Sequence, residues 1–523
     1  MSIALEEPIV ETPAPSAVRA DSLAASVVIL LAMTVAQRLI GFGRGILFCR
    51  WLDPEQLGQW DVAFGFLNLA APLAVLGLPG SFGRYVEYFR VRGQFHTFLR
   101  RTIAVSMAVG LIATGAIVVE RTWFSQLIFG SDQNTGMVVW LAACLAVVIA
   151  HNFLITLFIA VRMYRFVTAL QFIQSLGFAA LSIGLLATWP SGATSAVIAY
   201  AVATILSAIG SVRWLRQLSA GEVTGGQPVP QSAFWAKILP FAGWMWVTNL
   251  LTNLFEVIDR YMIIHHGGME THEALRQVGL YHSSRIVPLL FVAVASLLGS
   301  MITPHLSHDW ERGCREAVVR RLNLVLKTLL YALFAGSIAV LFLAPLLFQV
   351  AFQNKFEGGL IVLPWTLAYC TWFGTIAVAQ NYLWCAERPR LSSLALFAGL
   401  LLNIACNLVL LPRFGLEGAV WATSLANLFA LTLIYIFSRW HGMHVDSGTW
   451  ILTLAPVSLG LGPWAALCVL VVLTILAATS HRIFIQQEKE HLTTMIEHAL
   501  RKLVRSQSQN RESLVPGTEV VSH

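Results

Sequence analysis

The sequence predicts an all-α polytopic membrane protein of about fourteen transmembrane helices: a 12-helix core in two six-helix lobes plus two C-terminal helices. Three observations carry that prediction. The 523 residues are 57% hydrophobic and only 12% charged, where soluble domains carry roughly 25% charged residues. The apolar runs are long and do not alternate, which reads as helix rather than strand. The basic residues lie between those runs rather than in a separate polar domain. A soluble fold could not hide so much apolar surface, whereas a bilayer is itself an apolar solvent. In lipid every backbone N–H and C=O must be paired, which leaves helix or closed barrel.

In chain order the runs place spans at roughly 22–48, 59–79, 102–119, 136–159, 166–188, 193–212, 238–263, 278–303, 323–349, 359–383, 392–411, 416–438, 448–461 and 463–480. Only about 30 residues separate Trp450 from Ser480, which is tight for two crossings of about 20 residues each. The domain reading follows: a disordered cytoplasmic tail over 1–21, a first lobe over 22–217, a cytoplasmic linker over 218–237, a second lobe over 238–438, the two extra helices over 448–480, and a cytoplasmic tail over 481–523. The N-terminus, with Glu6, Glu7, Glu11, Pro13 and Pro15, has no basic n-region and does not read as a signal peptide. In the last segment Leu492, Met495, Ile496, Ala499, Leu500 and Leu503 share one helical face, with Arg501, Lys502 and Arg505 nearby, as in a helix resting on headgroups.

Charge gives the map a direction. The loops after even spans hold Arg84, Arg90, Arg92, Arg100 and Arg101; Arg162 and Arg165; Arg213, Arg216 and Lys237; Arg312, Arg315, Arg320 and Arg321; Arg388 and Arg390; and Arg439. The odd loops are poorer in basic residues and carry acids such as Asp53, Glu55, Glu120 and Asp132. Positive loops stay inside, so both ends are expected in the cytoplasm of an inner-membrane protein. The net charge of +7 is explained by topology and does not call for nucleic acid. The seven cysteines form no CxxC pair and read as apolar packers. No P-loop, Ser/His/Asp set or zinc spacing is present, so neither an enzyme nor a metal or other cofactor is expected. His265, His266 and His272 read as outer-loop residues, and His151 and Asn152 as polar packers between helices.

The halves look related. Gly43-Arg44-Gly45-Ile46, then Leu57-Gly58-Gln59-Trp60, then Pro79-Gly80-Ser81 correspond to Asp259-Arg260-Tyr261-Met262, Val278-Gly279-Leu280-Tyr281 and Leu298-Gly299-Ser300. Internal repeats are a common transporter device, with the substrate path between them.

Charges within spans are the candidate functional residues, because each is expensive there. The first span holds Arg38 and Arg44, separated by about 9 Å of rise, with Gly41, Gly43 and Gly45 thinning the helix. Both arginines border one cavity, or Arg44 snorkels to the outer interface; Arg38 lies deeper. Span seven carries Glu256, Asp259 and Arg260, read evenly as a pair neutralising Arg260 or as a carboxylate site for H⁺ or Na⁺ coupling. Span eight adds His282 and Arg285, and Arg84 sits at the end of span two. Arg38, Arg44, Arg84, Arg260 and Arg285 together suggest a cationic cavity for an anionic head group, since arginine binds phosphate oxygens in pairs and keeps its charge when desolvated.

The segment QRLIGFGRGILFCRWLDPEQLGQW from Gln37 to Trp60 resembles the opening of Wzx-type polysaccharide flippases of the multidrug/oligosaccharidyl-lipid/polysaccharide exporter superfamily. Its Arg-x-x-Gly-Phe-x-Arg core is also similar to the first helix of lipid II flippases. DRYMI from Asp259, VGLYHSSRI from Val278 and LNIACNLVLLPRFGLEGAVWATSLA from Leu402 extend the resemblance over about 22–440. It implies alternating access by two six-helix lobes and an undecaprenyl-diphosphate-linked glycan as substrate, for exopolysaccharide, O-antigen, lipopolysaccharide or capsule assembly. Membrane lipids and other polysaccharide-assembly proteins are the implied partners. Arg38, Arg44 and Arg285 match positions where related flippases use cations. Gly45 replaces an acidic residue of the lipid II flippases, which favours a polysaccharide precursor. Competing expectations are a multidrug cation antiporter, which needs an acidic lumen, and a membrane polymerase or ligase, which needs a large outer loop.

Overall fold

The computed structural model describes residues 23–189, 192–220, 229–486 and 488–490. The segment 1–21 and the amphipathic stretch over 492–503 expected above lie outside them. Every regular element among the described residues is helical, and the fold is that of an all-α polytopic membrane protein. Eight of these helices are long and apolar enough to cross a membrane, or nine if a bent pair counts as one span. The chain divides into two compact units, residues 1–279 and 280–523. This division falls within a helix rather than at the 218–237 linker, because the helix after the linker packs along the second span.

The first unit contains α1 (Leu23–Trp51), α2 (Pro54–Ala74), α3 (Phe82–Val91), α4 (Phe95–Val119), α5 (Arg121–Phe129), α6 (Thr135–Ala160), α7 (Tyr164–Thr188), α8 (Ala193–Ala220), α9 (Gln231–His266) and the first part of α10 (Thr271–Arg285). α1 lies on α7, α7 on α8, α6 on α4 and α8, and α2 on α6, α8 and α9. The sequence places one span over 59–79, but α2 stops at Ala74. Leu76 and Gly77 both take positive φ, and α3 leaves at 64° to α2. The break is held from α9, where Trp246 Nε1 donates to the Leu73 carbonyl at 3.2 Å, an oxygen near the end of the interrupted ladder.

The second unit continues α10 from Leu280 and adds α11 (Pro288–Glu311), α12 (Arg315–Leu346), α13 (Glu357–Ala379), α14 (Asn381–Cys385), α15 (Pro389–Trp440), α16 (Ser447–Leu454) and α17 (Pro463–Thr479). The expected eighth span over 278–303 is two helices, parted at Ile286–Val287 just before Pro288. Val287 keeps helical dihedrals, φ −77° and ψ −48°, but Pro288 has no N–H to donate four residues back and its ring crowds that carbonyl, so the ladder is interrupted there. α15, at 52 residues, holds two of the expected spans. They meet at Gly415, with φ 56° and ψ −135°, a conformation that a side chain resists.

α13 is the centre of this unit. It is apolar all round, as buried helices are, and packs on α11, α12, α15 and the 3-10 turn Ala455–Leu461. The last two helices are therefore built into the unit rather than appended. Trp372 Nε1 of α13 donates to the Thr453 carbonyl at 2.8 Å. The 3-10 stretch also eases their short length, because its rise of about 2.0 Å per residue carries Ser447–Leu461 over about 26 Å.

Candidate functional site

In the first unit the two arginines of α1 have different surroundings. Arg38 is exposed. Arg44 is half-buried, and its Cζ lies 4.2 Å from the ring centroid of Phe178 on α7. That ring belongs to an aromatic box. Phe48 meets Trp60 edge-on at 5.7 Å, Trp60 meets Phe178 at 5.5 Å, and Tyr200 closes on Phe178 at 5.0 Å and Phe64 at 5.4 Å. A cation over such faces gains about 0.5–2 kcal/mol without losing its charge. Arg44 thus rests on an aromatic ring within the unit. Among the described residues no carboxylate pairs with it.

Arg260 is different. From sequence, Glu256 and Asp259 of its own helix read evenly as its neutralising partners or as an ion-coupling site. Its partner is Asp61 of α2: Arg260 Nε donates to Asp61 Oδ2 at 2.5 Å, and both residues are buried. Glu256 turns its side chain to the exposed side and contributes only its main-chain carbonyl, 3.2 Å from Arg260 Nη1. Asp259 is buried. Asp61 escaped the sequence reading although it is an acid within an apolar run, the same signal that singled out the arginines.

Close to this pair α2 and α10 cross at two glycines. A Cβ on Gly58 would lie 1.9 Å from the Leu275 oxygen and 3.0 Å from the Gly279 nitrogen. A Cβ on Gly279 would lie 1.8 Å from the Pro54 oxygen and 3.1 Å from the Gly58 nitrogen. The contact is reciprocal, each glycine facing the carbonyl four residues before the other. These are the two Gly-x-aromatic steps matched above as an internal repeat, here touching as equivalents. The crossing lets two backbones approach with no side chain between them.

At the other end of α2, beyond the break, the cationic residues meet a second aromatic group. Tyr85, Val86 and Phe89 of α3 bury against Phe98 and Phe234. Arg84 is exposed, with its Cζ 5.9 Å from the Tyr85 ring and 5.4 Å from Phe241. Arg92 and Lys237 share the ring of Tyr88, at 3.6 and 3.5 Å. Arg101 ties Val229 to α4 through a 2.8 Å bond from Nη2.

The histidines have local duties. His151 is buried 3.2 Å from Ser207 Oγ, which donates to the Leu170 carbonyl, so the helix–helix packing role read from sequence holds for His151, whereas Asn152 is exposed. His265 lies 2.9 Å from the Leu127 carbonyl, and His272 pairs with Glu55 at 2.6 Å. Among the described residues no three His, Cys, Asp or Glu side chains assemble as metal ligands.

In the second unit Arg285 is buried, with its Cζ 5.2 Å from the Tyr281 ring, and Tyr281 donates its hydroxyl to Tyr369 at 3.0 Å. The unit also holds a charge cluster the sequence reading passed over. Lys327 of α12 is fully buried, 2.7 Å from Asp446 and 2.9 Å from Glu488. Glu488 also accepts from the Ile485 N–H at 2.9 Å, which is half of a capping box. One lysine therefore holds both the turn before α16 and the segment after α17. Of the five candidate arginines, Arg38, Arg44, Arg84 and Arg260 fall in the first unit and Arg285 in the second.

Residues 23–308 match a family described as polysaccharide biosynthesis protein. Over 442 residues the chain is 17% identical to lipid II flippase MurJ of Bacillus subtilis (strain 168), covering 78% of this chain and 81% of that protein. A solved structure of lipid II flippase MurJ in an inward closed conformation shares the fold, with a TM-score of 0.64 and 13% identity over 86% of this chain and 98% of that one. An inward-facing multidrug resistance MATE family transporter of the MOP superfamily does so with a TM-score of 0.62 and 14% identity, over 79% of this chain and 97% of that one.

Proposed function

We propose, from the premise that this chain belongs to the polysaccharide biosynthesis protein family, that it flips a lipid-diphosphate-linked oligosaccharide across the cytoplasmic membrane of a bacterium by alternating access. The observation that carries the reading is Arg44. It is a charged group inside a span, held on aromatic rings, with no carboxylate pairing with it among the described residues. A cation kept unneutralised at such cost is available to an anion. A diphosphate between lipid and sugar is an anion that guanidinium groups bind through paired oxygens. Arg38 is a second candidate cation on α1 and Arg285 a candidate in the second unit, while Arg260, already paired with Asp61, serves as a structural tie.

The aromatic box suits the cargo as well, because flat rings receive the apolar faces of sugars. The undecaprenyl tail stays in the bilayer while the head crosses. The product feeds exopolysaccharide, O-antigen or capsule assembly, and Gly45 after Arg44 sets the chain apart from the lipid II flippases it resembles. Both ends lie in the cytoplasm by the charge map. Glu256 and Asp259 are the candidates for ion coupling; the membrane potential is the other source of drive. An organic-cation antiporter fits less well, because arginines outnumber acids among the candidate residues and Asp61, an acid within α2, is neutralised by Arg260.

The test is polysaccharide export in cells carrying Arg44→Ala. Loss of the charge-assisted contacts, about 1.5–3 kcal/mol, lowers export about tenfold or more at an unchanged membrane level of protein, and Arg44→Lys restores part of it. Unchanged export by Arg44→Ala would remove this residue from substrate binding.

A further inference from the structure

The charge cluster beyond the break in α2 has chemistry that the reading of Arg44 does not use. α2 has 21 residues, which at about 1.5 Å per residue spans a hydrocarbon core of about 30 Å. The chain then breaks at Leu76–Gly77 and turns by 64° into α3. With the sidedness of the charge map, α3 lies at the level of the inner headgroups. α9 has 36 residues, more than one crossing needs, so its first turns carry Lys237 to the same level.

There Arg92 and Lys237 are both exposed and both rest on Tyr88, with Cζ and Nζ 3.6 and 3.5 Å from its centroid. The two charges are therefore at most about 7 Å apart, close enough to repel. Among the described residues neither has a carboxylate partner; the one acid of α3, Glu87, is 3.8 Å from Arg90. Arg84 adds a third exposed cation beside Tyr85 and Phe241, two rings that meet edge-on at 5.8 Å. The phenol of Tyr88 reports the local field. Its pKa lies below the ordinary value, first through the hydrogen bond with Lys237 and then through the charges of Arg92 and Lys237.

We propose that Arg84, Arg92 and Lys237, set around Tyr85 and Tyr88, form a loading station for the diphosphate of the lipid carrier at the inner surface, separate from Arg44 in α1. The inference rests on the flippase reading. Two cations at most about 7 Å apart, with a third on the ring of Tyr85, whose centroid is 6.5 Å from that of Tyr88, match the charge and reach of a diphosphate better than a single phosphodiester. The aromatic rings fix the cations in place and provide the amphipathic surface suited to the headgroup zone.

The test uses the full chain in nanodiscs, titrated with a polyprenyl diphosphate, a polyprenyl monophosphate and phosphatidylglycerol. The double variant Arg92→Gln/Lys237→Gln is compared with Arg92→Lys/Lys237→Arg, which keeps both charges. The expected result is at least a tenfold loss of diphosphate affinity in the neutral variant, a smaller loss for the monophosphate, no change for phosphatidylglycerol, and recovery in the charge-keeping variant. Unchanged diphosphate affinity overturns the station, and so does an equal loss for all three lipids, which would mark a general anionic surface. Failure of the unmodified chain to bind or flip any diphosphate lipid would overturn the flippase reading itself, which separates the two failures.

Discussion

The Asp61–Arg260 pair joins α2 to α9 across 199 positions of sequence, and removing it has a calculable consequence. Asp61 is 3% exposed and Arg260 7%, so neither charge can be recovered by water if its partner is lost. Breaking such a buried pair costs about 3–5 kcal/mol, because the remaining charge is left uncompensated. Asp61→Asn keeps an oxygen acceptor in place, and Arg260 retains the Glu256 carbonyl, so its cost lies near the lower end, about 3 kcal/mol. Arg260→Gln leaves a buried carboxylate and costs about the same. The double variant removes both charges and leaves a neutral pair able to hydrogen-bond, so it costs about 2 kcal/mol or more less than the sum of the singles. The assay is equilibrium unfolding of the purified protein in mild detergent for the four members of the cycle. Singles that add to within about 0.5 kcal/mol would refute the reasoning, since residues that do not interact behave that way.

The glycine crossing and the lysine cluster give two further expectations. Gly58→Ala and Gly279→Ala place a Cβ within 2 Å of a carbonyl oxygen, so each should force α2 and α10 apart and raise the protease sensitivity of the loop between α9 and α10, while Gly83→Ala, which meets nothing within 4 Å, should not. Lys327→Met leaves the buried Glu488 and the partly exposed Asp446 without their cation, and should destabilise the protein by about 3 kcal/mol in a detergent melt. Adding Glu488→Gln should return part of that loss; a double variant no more stable than Lys327→Met would show that the cluster does not act as a unit.

The fold was legible where apolar runs end in polar residues. The expected spans over 136–159, 166–188, 463–480 and the pair meeting near Gly415 agree with α6, α7, α17 and α15 within a few residues. It was less legible inside apolar runs. The sequence from Leu69 to Leu78 stays apolar through the break in α2, and Leu76 is not a residue that advertises positive φ. Pro288 did mark the step between α10 and α11, but the run around it reads as one span. For the site, periodicity could raise Arg44 and Arg260 as costly residues but could not show that one is neutralised and the other is not. That distinction depends on Asp61 arriving from a distant helix. Lys327, Asp446 and Glu488 were hidden for the same reason, each ordinary alone and significant only when packed together.

The central claim, that the cargo is a lipid-linked glycan on a diphosphate, is tested most directly by reconstitution. The purified chain is placed in vesicles holding a fluorescent polyprenyl-diphosphate oligosaccharide in one leaflet, under an imposed potential, and the arrival of the glycan in the other leaflet is followed with a membrane-impermeant quencher. The account predicts protein-dependent movement of this lipid, little with Arg44→Ala, and none of an organic cation across the same vesicles. Transport of the cation with no movement of the lipid-linked glycan would contradict it.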